Sequence, residues 1–325
     1  MIFFKKLFWA ISIRCLGVLD GNRMRVLLYR GSLNTAPLSI TSEPKQIYVK
    51  AQISPFVGIG HKLGNLLAAY AIAKDYALSG VVFSSLQHED WPKLSIEDSL
   101  VGGIRISDLP KGFKKVKIPR FNFNLESDVK FFKSCIENAP CMSVIVLEKD
   151  QFYEDISISS PFLKRLFVLN RVEPNDDIIQ IGVHIRRGDI LKSTKFAKRV
   201  LDFDYYNNTL YAIVRALQNL GTRNYRVVLF SNDYVGLDEL GFDWQKDESV
   251  SSFDSFYNMA RCNVLVTSLS SFSYKPALIC ENLVFYPMGF WHSYPSHDRY
   301  QKLTYDYEYN SIKVNNAIQY FFRKI

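Results

Sequence analysis

The sequence predicts an α/β fold of two facing nucleotide-fold (Rossmann-like) domains, each built on a parallel sheet. Three observations lead there. Short, almost wholly apolar runs recur in the second half, at Ile178 to Ile185, Arg226 to Ser231, Asn263 to Thr267 and Leu283 to Tyr286. Strands of a parallel sheet read this way because helices cover both faces. Stretches with helical periodicity alternate with these runs, and a second strand–helix–strand set stands near the N-terminus. At 325 residues the chain is long enough for two such units.

In chain order, Gln46 to Ile53 reads as the first strand and Ser54 to Gly60 as a turn-rich loop. An apolar helix opens at His61-Lys62-Leu63-Gly64-Asn65 and runs to about Leu78. Val81-Val82-Phe83 then completes a βαβ unit. Residues 90 to 124, broken by Pro92, Pro110 and Pro119, read as irregular. A helix at Leu125 to Glu137 and a strand at Met142 to Leu147 follow. The polar Val172 to Asp177 marks a boundary near residue 172, giving domains of residues 1–172 and 173–325. After the strand at Ile178 come a helix from Tyr205 to Leu220, ended by Gly221, and the strand from Arg226. Ser255 to Arg261 is a short helix, and Phe272 to Glu281 another, each next to one of the remaining strands.

Composition narrows the class. A 48% hydrophobic and 14% aromatic content marks a globular chain with ample core and no signature of disorder. Forty basic against 32 acidic residues leave a net charge of +8, suited to anionic substrates or an anionic membrane surface. The basic residues are dispersed and no nucleic-acid module is present, so nucleic acid is not an expected partner. The five cysteines are odd in number and lack CxxC or metal spacing; Cys262 and Cys280 read as small core residues, and a reducing compartment fits. At the N-terminus the longest uncharged run, Leu7 to Ile13, is too short to span a bilayer, and no cleavage site follows it. Its aromatics beside Lys5, Lys6 and Arg14 suit either an interfacial anchor or a first packed element.

The densest polar cluster closes the apolar run in His184-Ile185-Arg186-Arg187-Gly188-Asp189. Strand alternation places His184 and Arg186 on one face and Arg187 on the other. Guanidiniums at the carboxyl end of a parallel strand lie where open α/β sheets bind ligands, and their planar forks match phosphate. The plain alternative is a pair of surface arginines bridged to Asp189. Two further loops, Ser231 to Asp233 and Thr267 to Ser273, leave their strands at the same end. Ser270 and Ser271 open a helix, whose N–H groups and hydroxyls can hold a phosphate or simply cap the helix. Asp233 either accepts from a base or ribose or closes a turn. The glycine-rich Gly58 to Asn65 follows a strand and precedes a helix, but Leu63 stands where a dinucleotide fingerprint needs glycine. It reads as a close-approach loop facing the cleft, with Gly60 nearest the ligand and His61 and Asn65 available for hydrogen bonds. The triplet Asp202-Phe203-Asp204 begins a helix and reads as N-capping rather than metal binding. The sequon at Asn207 falls inside a helix and carries no weight.

His184 to Asp189 resembles the HxRRxD motif of the α-1,2/α-1,6 and O-fucosyltransferase superfamily. Gly60 to Asn65 is similar to that superfamily's early GxGN-type loop, and Cys262 to Pro276 resembles its late serine-rich segment. The resemblance spans roughly residues 58 to 290 and touches nothing between 90 and 170. It implies a GT-B-like architecture in which residues 1–172 bind the acceptor and residues 173–325 the nucleotide sugar. It implies GDP-fucose as donor substrate, no cofactor and no metal, and an inverting transfer to a glycan hydroxyl. Carried over position by position, Arg186 meets the donor diphosphate, His184 the guanine or ribose, Asp233 the base, and Ser270 and Ser271 the phosphates. Arg187 then positions the loop, pairing with Asp189. Candidates for the general base are Asp189, His61 and Lys192, and the residues do not choose among them. The implied setting is bacterial surface-polysaccharide or lipopolysaccharide assembly, with a cytoplasmic enzyme, peripheral on the inner membrane, acting on a lipid-linked acceptor. Two other readings stay open: another nucleotide sugar, and a non-catalytic binding protein displaying Arg187-Gly188-Asp189. The latter needs an exposed loop where the sequence has the end of a buried strand.

Overall fold

A computed structural model describes residues 45–52, 59–82, 99–101, 104–107, 112–118, 126–148, 178–191, 194, 197–221 and 224–323. The N-terminal anchor segment, the boundary at residue 172 and Lys192 lie outside the described residues.

The first sheet takes β1 (Gln46–Gln52), β2 (Gly80–Val82), β3 (Ser99–Val101), β4 (Ile104–Ser107), β5 (Lys114–Ile118) and β6 (Met142–Glu148), in the order β3-β4-β2-β1-β6-β5. Its pairs are parallel except β3 with β4. The parallel sheet expected carries one antiparallel pair at its edge, and one expectation is corrected: the stretch 90 to 124, read as irregular, holds three strands. They were hidden by brevity: β3 and β4 pair Val101 with Ile104 across Gly102-Gly103, a dipeptide suited to two-residue hairpins. In β5 three of five residues are lysines, which suits an edge strand that must not recruit another chain.

The second sheet takes β7 (Ile179–His184), β8 (Tyr225–Phe230), β9 (Gln245–Lys246), β10 (Val264–Val266), β11 (Leu283–Pro287) and β12 (Tyr300–Leu303). The order is β12-β11-β10-β7-β8-β9, and every pair is parallel. The chain therefore winds outward from β7 in one direction, returns to β10 beside it and winds outward in the other. That is the dinucleotide-binding order, whose direction reverses between β7 and β10 and opens a crevice at their carboxyl ends.

Six helices complete the described fold: α1 (Ile59–Asp75), α2 (Glu126–Glu137), α3 (Phe203–Asn219), α4 (Ser252–Ala260), α5 (Ser271–Ile279) and α6 (Tyr307–Phe322). The strands β9 and β12 and the helix α6 had no counterpart in the sequence reading. One face of the second sheet, with Ile181, Val183 and Leu229, packs under Leu210, Ile213 and Leu217 of α3 and Val314 and Ile318 of α6. On the other face Cys262 and Cys280 are buried core thiols, as anticipated. Gly182 of β7 lies so close to Cys262 Sγ that a β-carbon has no room.

Helix α1 ties the two sheets together. Every residue from Lys62 to Ala73 is buried. Its side chains share one core with Ile47, Val49, Val81 and Ile145 of the first sheet and with Phe256, Tyr274, Leu278 and Ile279 of α4 and α5. A helix apolar on one stripe suffices for a surface position; one enclosed from both sides must be apolar almost all round.

Candidate functional site

The crevice between β7 and β10 is bridged at its mouth. His184, the last residue of β7, places Nδ1 2.7 Å from the Oγ of Ser268, which follows β10. Both side chains are buried, at 3% and 1% exposure. Burial, reinforced by the nearby Arg186 guanidinium, lowers the imidazole pKa to about 3, so His184 is neutral at ordinary pH. Ring and hydroxyl join the two strands on either side of the switch point.

Beyond His184 the chain leaves the sheet. Ile185 donates its N–H to Phe230 O at 3.0 Å, and Arg186 then emerges half-buried on the side of His184. Arg187 turns the other way, is 8% exposed, and lays its guanidinium 4.4 Å over the ring of Phe203 at the start of α3. This separation of the two arginines is the one strand alternation predicts. Gly188 has φ +68°, and a β-carbon there would stand 2.6 Å from Asn232 Nδ2. The motif glycine therefore supplies both a left-handed turn and the space that lets the loop after β8 close upon it. Asp189 lies in the 3-10 turn Gly188–Ile190; its side chain, like that of His61, is outside the described atoms.

The loop from Thr267 to Ser271 is folded back on itself. Ser270 caps α5, accepting from Phe272 N–H at 3.2 Å, while the Ser273 hydroxyl donates to Ser270 O at 3.3 Å. Thr267 Oγ1 lies 3.1 Å from the Tyr294 hydroxyl. Ser270 is thus a capping residue, and Ser271, the first residue of the helix, is half-buried with its hydroxyl 3.5 Å from His292 Nε2. The loop after β8 is simpler. Asp233 Oδ1 accepts from Val235 N–H at 3.1 Å, and the Ser231 hydroxyl donates to Asp233 O at 2.7 Å. One oxygen of Asp233 therefore closes a turn.

The glycine-rich segment is corrected in form and kept in position. Gly60 to Asn65 is not a loop but the first two turns of α1, which starts at Ile59. Gly60 does approach closely, but to the neighbouring helix and not to a ligand: a β-carbon on it would lie 2.7 Å from both Ser271 C and Phe272 N. The amino ends of α1 and α5 therefore abut. Asn65 is 2% exposed, and its Oδ1 has no hydrogen-bond partner. The capping expected of Asp202 fails: it occupies the N-cap position of α3, but its side chain makes no capping hydrogen bond.

Parallel-strand order brings the loops 184–189, 231–233 and 267–273 to one edge of the second sheet, as expected, whereas the contacts of Ser268 with His184 and of His292 with Ser271 were not foreseen. The signal for His292 lay in parallel-strand order, since Phe290-Trp291-His292 follows β11 and must leave by the same edge. Among the described residues no group of three or more His, Cys, Asp or Glu side chains is arranged to hold a metal ion. No described helix is long and apolar enough to cross a membrane.

Residues 149–286 match the profile of glycosyl transferase family 11. No curated protein matches the chain. Among solved structures it is similar to the fucosyltransferase NodZ from Bradyrhizobium, at 12% identity and a TM-score of 0.40, over 72% of this chain and 92% of that one. POFUT1 in complex with GDP is 12% identical at a TM-score of 0.39, over 82% and 99% of the two chains. A mutant of Arabidopsis thaliana FUT1 in complex with GDP is 11% identical at a TM-score of 0.46, over 84% and 76%. The family match takes in β7, β10, α5 and the loops between them. The chain thus has two Rossmann-like sheets, and its site-forming segment, residues 149–286, is similar to glycosyl transferase family 11.

Proposed function

We propose that the enzyme transfers fucose from GDP-fucose to a glycan hydroxyl with inversion. The observation that carries this reading is the meeting of two helix amino ends, at Gly60 and Ser271, in a fold whose second sheet has dinucleotide-type order and whose β7 leads into Arg186. Residues 173–325 hold the donor in this reading, and residues 1–172 supply the acceptor side. Of the similar structures, NodZ is a fucosyltransferase, and those of POFUT1 and FUT1 hold GDP.

In the reaction the bond from the anomeric carbon to the diphosphate oxygen breaks, and a bond from the acceptor oxygen forms on the opposite face. Negative charge grows on the departing diphosphate. In this reading Arg186, the two helix ends and the Ser271 hydroxyl meet that charge and stabilise it. His184, neutral and tied to Ser268, contributes shape and a hydrogen bond beside the ribose or base rather than charge. Asp233 keeps one carboxylate oxygen for the base. Asn65 offers its unsatisfied Oδ1 from the side of the first sheet. In this reading the acceptor proton passes to Asp189, which follows β7, or to His61, in the first turn of α1. No metal is required by this scheme, and activity that survives a chelator is its expected sign.

The acceptor we propose is a lipid-linked glycan of a bacterial surface polysaccharide, met at the cytoplasmic leaflet. The net charge of +8 favours an anionic membrane surface. A thermal-shift panel of nucleotides tests the donor. GDP is expected to raise the melting temperature more than UDP does, through preferential binding to the folded state. An equal or larger shift with UDP would overturn the guanine assignment.

A further inference from the structure

We infer that His292 is a positioning residue that turns the Ser271 hydroxyl onto the sugar-bearing phosphate of the donor, so that the enzyme distinguishes a nucleoside diphosphate from a monophosphate. The inference rests on the donor reading above.

The imidazole is held as few histidines are. It stacks flat on the Tyr274 ring, with centroids 4.7 Å apart and planes 6° from parallel. Phe290 and Trp291 lean on it at 5.2 and 5.7 Å, and the Tyr274 hydroxyl donates to Ser293 O at 2.8 Å, fixing the loop on either side. The side chain is 7% exposed. So fixed, its Nε2 meets Ser271 Oγ at 3.5 Å, a long contact that a bound ligand would be expected to tighten. His184 does the same for Ser268 across the loop at 2.7 Å. The start of α5 is therefore braced by two imidazoles, each on a different serine.

A hydroxyl has one proton and two acceptor sites. If Nε2 carries a proton and gives it to Oγ, the Ser271 proton is free to point outward. The opposite tautomer would spend that proton on the ring and present lone pairs to an anion. A phosphate at this helix start selects the first arrangement. Ser271 is also the residue whose backbone abuts Gly60 of α1, on the side from which the acceptor comes in the proposed reaction. The phosphate it meets is therefore the one bearing the sugar, and not the one next to the nucleoside. Stacking alone would need only an aromatic ring at 292; directing a hydroxyl needs the nitrogen.

Calorimetric titration of the full-length protein with GDP and with GMP separates these roles. His292→Phe keeps the stack and is expected to weaken GDP by about tenfold, the worth of one hydrogen bond to a charged group, with GMP changed less than about twofold. His292→Gln, whose amide nitrogen reaches the Nε2 position, is expected to retain the preference for GDP; His292→Asn, whose amide stops short, is expected to lose it. Ser271→Ala should match His292→Phe, and the double variant should be no weaker than Ser271→Ala, because one interaction is removed twice. Equal losses for GDP and GMP in His292→Phe would assign the ring to packing and overturn the inference. So would unchanged GDP binding in His292→Phe beside a weakened Ser271→Ala, an outcome that leaves the donor reading intact. Failure of the wild-type protein to prefer GDP over UDP would sink the donor reading, and this role with it.

Discussion

His184 Nδ1 and Ser268 Oγ stand 2.7 Å apart across the gap between β7 and β10, so one buried hydrogen bond closes the mouth of the switch-point crevice. The pair fixes the sign of a pH effect. The folded-state pKa of His184 is lowered to about 3, below its ordinary value of 6.5, so the unfolded chain binds the extra proton between those limits. Stability from this group is complete above pH 6.5 and falls as pH drops towards 3, by at most about 1.4 kcal/mol per pH unit. Denaturant melts at pH 7 and pH 5 check it: His184→Gln should start less stable but lose less between the two. A wild-type protein that loses no more than the variant over this interval would refute the buried neutral imidazole.

Arg186 and Arg187 are adjacent in sequence and should differ in what they affect. Arg186→Ala is expected to weaken GDP by roughly ten- to a hundredfold with little change in melting temperature, the loss of a charge-assisted contact at about 1.5–3 kcal/mol. Arg186→Lys should fail as well, because a point charge cannot reproduce the planar fork. Arg187→Ala removes the stack on Phe203 and should cost about 1 kcal/mol of stability, read in a denaturant melt, with a smaller effect on GDP. Interchanged phenotypes would reverse the assignment of the two faces.

Gly60→Ala is expected to destabilise by about 1–3 kcal/mol, since its methyl must displace the backbone of Ser271 and Phe272. GDP affinity should fall with it, because the same backbone forms the start of α5. A variant with wild-type melting temperature and wild-type GDP binding would show that the two helix ends do not meet as described.

Asp247, 9% exposed at the end of β9, accepts from the hydroxyls of Ser249, at 2.7 Å, and of Ser255, and from Asn258 Nδ2 at 3.4 Å. It braces α4 against the second sheet and touches no residue assigned to the donor. Asp247→Ala should cost about 2–3 kcal/mol, because a charged acceptor goes and its donors stay buried. A loss of GDP affinity without loss of stability would instead place Asp247 in the site.

How much could be read from the sequence follows from how locally each element is determined. β7, β8, β10 and β11 are buried on both faces, so their apolar runs stood out unaided. β9 has two residues, Gln245 and Lys246, both exposed, and exists only because β8 offers it an edge. β12 mixes Gln301 and Lys302 with buried Tyr300 and Leu303, a pattern too short to separate from a loop. The ambiguity at Gly60 had another source. Two glycines within the first six residues of α1 argue for a loop by propensity, and only the α5 backbone lying across Gly60 explains why a helix tolerates one there. The HxRRGD cluster was legible because strand alternation fixes its two faces without any tertiary knowledge. The loops beside it were legible from parallel-strand order, but the individual contacts of Ser268 with His184 and of His292 with Ser271 were not, since they join residues 84 and 21 apart.

The enclosure of α1 bears on how the molecule comes apart. A helix whose whole circumference is dry cannot stay with one sheet when the other leaves without baring an apolar face. The two halves, although each has a sheet of its own, should therefore melt as one cooperative unit, with a single calorimetric transition in place of two.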